Sequence, residues 1–297
     1  MLAQHVSPFM GIESGGSCLV GPYRPLGLVR PGPQAYAPEA TGIKNNGWLP
    51  DQPIRRFAQL HVSGTGGAGR YGNIALSPYC GKASFDFPCH GYAEEQAAPG
   101  YYSVQLLPDA VRTEITATRR CAVYRFRFEK AGKTNPSHIL FDGAAALGGK
   151  STRATDGYLQ AADRQHLYGW THLVGGWGHR APFQIFYFVE FDRPCLDCRV
   201  AEANCEPRIP TTRGTDLRMD LDFGDPRKLE CRIGVSFVSV AQARDNLERE
   251  TGGRDFEDLR AESEIEWETQ LQRVRVEGGS REDTVLHYRL LHRLLAM

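Results

Sequence analysis

Val111-Arg112-Thr113-Glu114-Ile115-Thr116-Ala117-Thr118, then Arg119-Arg120, then Cys121-Ala122-Val123-Tyr124-Arg125-Phe126-Arg127-Phe128 is the stretch whose periodicity decides the fold. Successive side chains of a strand point to opposite faces, so Val111, Thr113, Ile115 and Ala117 share one face and Arg112, Glu114, Thr116 and Thr118 the other. The second run sets Ala122, Tyr124, Phe126 and Phe128 against Arg125 and Arg127, and the two residues between the runs suit a hairpin. The same signal predicts strands at His138 to Asp142, Gly157 to Ala161, Gln184 to Phe191, Leu217 to Phe223 and Leu229 to Val240. Gln184 to Phe191 is apolar on both faces, as a strand buried inside a sandwich should be. Strands at this density with no helix between them predict antiparallel sheets packed face to face.

The period changes after Val240. Ala241 to Glu250 reads as a short helix stopped by Gly252-Gly253, and Phe256, Leu259, Trp267, Leu271 and Val274 then form one helical stripe with Ile265 opposite. Asp255 with Asp258 supplies an N-cap, and Ser280 with Asp283 opens a last helix. That helix carries Val285, Leu286, Tyr288, Leu290, Leu291, Leu294 and Leu295 around most of its circumference, which predicts burial on all sides. Its apolar faces predict a further domain that this chain only begins.

Composition narrows the function classes. The chain has 297 residues, and its 35 basic and 35 acidic residues balance, so nothing in the charge points to nucleic acid or an anionic membrane surface as a partner. Thirty-two glycines and 18 prolines at 41% hydrophobic content describe a turn-rich globular protein. No apolar run reaches the ~18 residues that span a bilayer, and Met1 to Gly11 lacks the basic start and apolar core of a secretory signal, so the chain reads as soluble. Among eight cysteines, Cys195-x-x-Cys198 with Cys205 invites a zinc reading, but no second close pair follows at ligand spacing; Cys121 and Cys231 read as buried thiols.

Three stretches carry candidate chemistry. Leu60-His61-Val62-Ser63-Gly64-Thr65-Gly66-Gly67 puts an imidazole and two hydroxyls on a glycine-rich turn, which suits either a polyhydroxyl ligand or a solvated loop. Trp48, alone among polar neighbours, is a plug over the core or a platform for the C–H face of a sugar. Gly169 to His179, with two tryptophans and two histidines among four glycines, lines a site or forms a tight connection.

His61-Val62-Ser63-Gly64-Thr65-Gly66, Tyr71-Gly72-Asn73-Ile74 with Pro78, Pro99-Gly100-Tyr101-Tyr102-Ser103-Val104 and Glu114 to Arg119 resemble, in that order, the N-terminal domain of glycoside hydrolase family 92. Val6 to Gly11, Pro25-Leu26-Gly27-Leu28-Val29, Gly234 to Ser239, Asn246-Leu247-x-x-Glu250, Trp267-x-x-x-Leu271 and Tyr288-x-x-Leu291-His292 extend the likeness over most of the chain. Gln59 stands where the family usually has a second histidine, and Val20-Gly21-Pro22 and Leu26-Gly27-Leu28 also depart, so the chain resembles a divergent member.

The family comprises calcium-dependent, inverting exo-α-mannosidases. The resemblance implies a mainly β fold: an N-terminal β-supersandwich over 1–240, a helical linker over 241–278, and over 279–297 the start of a truncated (α/α)6 catalytic domain. Calcium and most catalytic carboxylates would belong to that missing domain, leaving no catalytic or metal-binding residue here. An inverting glycosidase needs an acid and a base about 6.5–9.5 Å apart, and Glu114, Asp220 and Asp222 take neither role. The sandwich would complete a mannose pocket through Trp48, His61, Ser63 and Thr65, with His90 and Glu94 orienting loops or touching sugar. Its expected partners are a mannose-containing glycan and its own C-terminal domain, and family members are often exported. The alternative is a stand-alone carbohydrate-binding or structural sandwich without catalysis.

Overall fold

The computed structural model describes residues 1–12, 18–35, 47–62, 71–147, 152–178, 181–201 and 210–296. Its strands in chain order are β1 (Gly32–Ala35), β2 (Ile54–Leu60), β3 (Asn73–Cys80), β4 (Gly91–Ala98), β5 (Tyr101–Leu107), β6 (Val111–Ala117), β7 (Cys121–Phe128) and β8 (Ser137–Asp142). They continue as β9 (Arg153–Ala161), β10 (His166–Val174), β11 (Phe183–Phe191), β12 (Asp197–Val200), β13 (Thr211–Arg213), β14 (Arg218–Gly224) and β15 (Lys228–Ser236). A six-stranded sheet runs β1-β2-β3-β8-β14-β12, and a nine-stranded sheet runs β13-β9-β10-β11-β15-β7-β6-β5-β4. Strand pairing within both is antiparallel, and the β6–β7 hairpin pairs Val111 with Phe128 and Ala117 with Ala122, the register that the alternation implies.

The two sheets enclose one continuous core. Phe57, Leu76, Ile139, Phe141 and Met219 of the smaller sheet meet Tyr102, Ile115, Tyr124, Phe126, Tyr187 and Ile233 of the larger, all fully buried. Cys121 and Cys231 are buried thiols, and burial pushes both up in pKa. Cys195 and Cys198 hydrogen-bond to each other, and among the described residues no three His, Cys, Asp or Glu side chains converge as metal ligands; Cys205 lies outside the described residues.

Three helices follow: α1 (Val240–Thr251), α2 (Phe256–Leu271) and α3 (Arg281–Leu294). Ser239 caps α1 by accepting from the Gln242 amide, which is why β15 ends at Ser236 instead of running to Val240. Asp255 with Asp258, and Ser280 with Asp283, form reciprocal capping boxes. The α2 stripe is buried at Phe256, Leu259, Trp267 and Leu271, with Ile265 67% exposed opposite. Gly100 belongs to this packing: it sits at φ +82°, and a Cβ there would come within 2.2 Å of the Ser263 hydroxyl on α2. The Pro99 to Val104 motif is thus a seat for a helix.

A salt-bridged clamp joins α2 to the larger sheet. Glu114 accepts from the Tyr101 hydroxyl at 2.9 Å, from Arg125 Nε and Nη2 at 2.8 Å each, and from Arg127 at 2.7 Å, while Arg125 reaches Glu257 of α2 at 2.6 Å. A second clamp holds the N-terminal segment. Glu268 accepts from the amides of Leu2 and Ala3, and Arg293 of α3 donates to the carbonyls of Pro8, Met10 and Leu19.

One expectation is overturned. Gly169 to Val174 is no connection but most of β10, paired to β9 throughout and to β11 as far as Leu173; its glycine and alternating bulky residues obscure the period. On the last helix Tyr288, His292 and Arg293 face inward, whereas Leu286, Leu290 and Leu294 are 50, 55 and 62% exposed, as expected of apolar faces whose partners are not in this chain. Among the described residues nothing covers that leucine stripe. Among the described residues no helix is long and apolar enough to cross a membrane.

Candidate functional site

A cavity of about 420 Å³ opens at one end of the sandwich. Its walls come from the chain before β1 (Leu28, Arg30), the end of β2 (Leu60, His61, Val62), the start of β3 (Tyr71, Asn73), the start of β11 (Phe183, Ile185) and Phe237 after β15. Strand ends gather there because both sheets stop at that edge and their connections leave together.

Arg30 is placed by a close backbone approach. Its amide donates to the Gln59 carbonyl at 2.8 Å, and Gly21 packs so tightly on the next residue that a Cβ would stand 1.8 Å from the Pro31 carbonyl. Its guanidinium is half-buried, and among the described residues no carboxylate pairs with it. Burial lowers its pKa, opposed by neighbouring Tyr23. A guanidinium kept from water with no anion beside it is a hydrogen-bond donor in reserve.

His61 is a braced wall. Its Nδ1–H donates to the Arg30 carbonyl at 3.1 Å, and its Nε2 accepts from the Gln34 amide at 3.3 Å. Gln34 is held by donating to the Gly72 carbonyl at 3.0 Å and accepting from Arg56 Nε at 2.6 Å; Arg56 also reaches Ala146 at 2.6 Å and Asp142 at 3.4 Å. Burial depresses the His61 pKa to about 4, the bond to Arg30 opposes that, and the Arg56 charge adds to it. The ring is neutral at physiological pH. Above it, Tyr71 sits edge-on to Trp177 at 5.8 Å and 6.0 Å from Phe183, and its hydroxyl accepts from the Trp177 amide. Asn73 donates to the Ala145 carbonyl and Thr152, while its Oδ1 is buried without a partner among the described residues.

The expected site residues are scattered. His61 lines the cavity, and Ser63 and Thr65 lie outside the described residues, in the segment between the lining residues Val62 and Tyr71. Trp48 is 1% exposed and packs into the core 5.4 Å from the Tyr92 ring, so no face is open for a sugar to stack on and the plug reading holds. His90 is also buried, paired through its backbone with Ile54 and 3.3 Å from the Ser77 hydroxyl. Glu94 is exposed on edge strand β4 at φ +51° and pairs with Arg112 at 3.2 Å. Neither lines the cavity. Sequence reasoning missed Arg30, Tyr71, Phe183 and Phe237; aromatics and a lone arginine at strand ends gave only a weak signal.

No carboxylate is among these lining residues. The arrangement can therefore hold a polyhydroxyl ligand between aromatic walls and a cation, but supplies no acid and base pair. The glycosyl hydrolase family 92 N-terminal domain profile matches residues 5–236, and the family's catalytic domain profile matches 242–297. The chain belongs to glycosyl hydrolase family 92. An uncharacterized secreted glycosidase of Arthroderma benhamiae is 27% identical across 94% of this family 92 chain and 39% of its own length. A family GH92 α-mannosidase of Bacteroides thetaiotaomicron superposes with a TM-score of 0.82 at 22% identity, covering 98% of this chain and 40% of that one. The same enzyme with mannoimidazole gives 0.83 at 20% identity, over 98% and 39%. A GH92 inverting mannosidase of Bacteroides thetaiotaomicron VPI-5482 gives 0.81 at 22% identity, over 99% and 39%. This chain thus spans about two fifths of the length of the relatives it matches. At such identities the superpositions speak for the fold.

Proposed function

We propose that this chain is the N-terminal, substrate-site-completing domain of an inverting exo-α-mannosidase that removes terminal mannose from glycans. The observation that carries the reading is the end cavity, with its aromatic walls and an Arg30 that meets no carboxylate among the described residues, in a family 92 chain. Tyr71, Phe183 and Phe237 would take the apolar C–H face of a pyranose, and Arg30 would donate to its hydroxyls. His61 would fix the cavity floor, since both ring nitrogens already have partners. The mannoimidazole complex of a structural neighbour supports mannose as the sugar. Calcium would polarise and distort the bound sugar, but the described residues of this chain bring together no ligand set for it. Its ligands, the acid and the base are assigned to the helical domain, so this chain alone is inactive. The secreted relative supports export.

The test is an assay of the full-length product carrying this chain on α-mannosides of each linkage, with calcium and then with a chelator. Calcium-dependent release of mannose, appearing first as the β-anomer, is expected. No release from any linkage with calcium supplied overturns the proposal.

A further inference from the structure

The outer face of the larger sheet carries a second aromatic surface, away from the cavity floor. On β9, β10 and β11, Tyr158, Trp170 and Phe186 stand directly opposite one another in the ladder, on one face and each partly exposed. The next row toward the cavity is Asp156, His172 and Gln184. Neighbouring strands lie about 4.8 Å apart, so the aromatic row reaches about 10 Å across the sheet.

Several observations fix the chemistry of an occupant. Trp170 is tilted at 45° against His172, with ring centroids 4.7 Å apart, so the imidazole shoulders the indole on the polar side. The Tyr158 and Tyr168 hydroxyls both donate to the side-chain oxygen of Gln160, which holds that end of the row. Asp156 has a counter-charge in Arg213, 3.9 Å away. Neither row contains an aliphatic side chain, unlike a helix or sheet interface, where leucine and valine prevail. Aromatic faces flanked by amide, imidazole and carboxylate groups suit a neutral sugar chain, with C–H faces on the rings and hydroxyls on the rims. Gln184 and His172 mark the end of the surface nearest the cavity, on the opposite face of the sheet from the lining residues Phe183 and Ile185.

We infer that Tyr158, Trp170 and Phe186, with Asp156, His172 and Gln184, form a surface site for a neutral polysaccharide chain, separate from the pocket for the terminal sugar. Only the choice of α-mannan as first probe rests on the proposed mannosidase reading. The test is affinity electrophoresis of the 297-residue chain through native gels with α-mannan, with dextran, or with no polysaccharide. Retardation in a polysaccharide gel is expected, weakened about tenfold by Trp170→Ala and about threefold by Gln184→Ala or Tyr158→Ala. Near-ultraviolet circular dichroism checks that each variant is folded, and the rim variant Gln184→Ala decides if Trp170→Ala is not. No retardation in either polysaccharide relative to the polysaccharide-free gel overturns the inference, as does retardation that the variants leave unchanged. The mannosidase reading is scored separately by mannose release, which Trp170→Ala should leave intact on small aryl mannosides.

Discussion

Arg125 and Arg30 are both withdrawn from water, and the molecule treats them in opposite ways. Burial works against the Arg125 charge, yet its hydrogen bonds to Glu114 and Glu257 hold its pKa above the usual guanidinium range. Arg30 has no such partner among the described residues, and burial lowers its pKa. A cation closed on both sides by carboxylates is structural, because every charge it meets is already inside the fold. One left with unused donors at a cavity wall stores a binding capacity that the fold itself does not consume.

The sharpest way to break this contrast is Glu114→Ala. It leaves Arg125 buried without its main partner, so unfolding free energy should drop by about 3–5 kcal/mol in urea denaturation. A loss under about 1 kcal/mol would show that the clamp contributes little. The next effect is on pH. The His61 pKa is about 4 in the fold, below its ordinary 6.5, so the unfolded chain takes up the proton first. Stability from keeping His61 neutral is fully present above pH ~6.5 and is lost as pH falls toward 4, by up to roughly 3 kcal/mol. Melting temperatures between pH 7 and 4.5 should fall, and less steeply in His61→Gln; identical slopes would remove His61 from the account. The smallest effect is Arg30→Met, which should shift stability by less than about 1 kcal/mol. A loss as large as that of Glu114→Ala would make Arg30 structural and erase the difference.

Much of this architecture was legible because local patterns agreed with global packing. The alternation of Val111 to Phe128 set a hairpin register, and the Asp255 and Ser280 caps marked two helix starts. Reading failed where a pattern served two demands. Gly169 to Val174 alternates Trp170 and His172 outward with Thr171 and Leu173 inward, so it is bulky on both faces and looks like no half-buried strand. Trp48 gave a sugar-platform signal from its polar neighbours, although the core claims its ring. The leucines of α3 were read correctly by contrast: they implied partners outside this chain, and only the Tyr288 and His292 side meets described ones. The cavity was legible at His61 alone, since Arg30, Tyr71, Phe183 and Phe237 come together only when distant strand ends converge.

The clamp between the N-terminal segment and the last two helices has a consequence for synthesis. The bond from Arg293 to the Pro8 carbonyl joins residues 285 positions apart. A ribosome adding about 5–20 residues per second needs roughly 15–60 s to make that interval. Until that interval ends, residues 1–12 have no α3 to dock on. Residues 1–12 are thus among the last of the described residues to find their place.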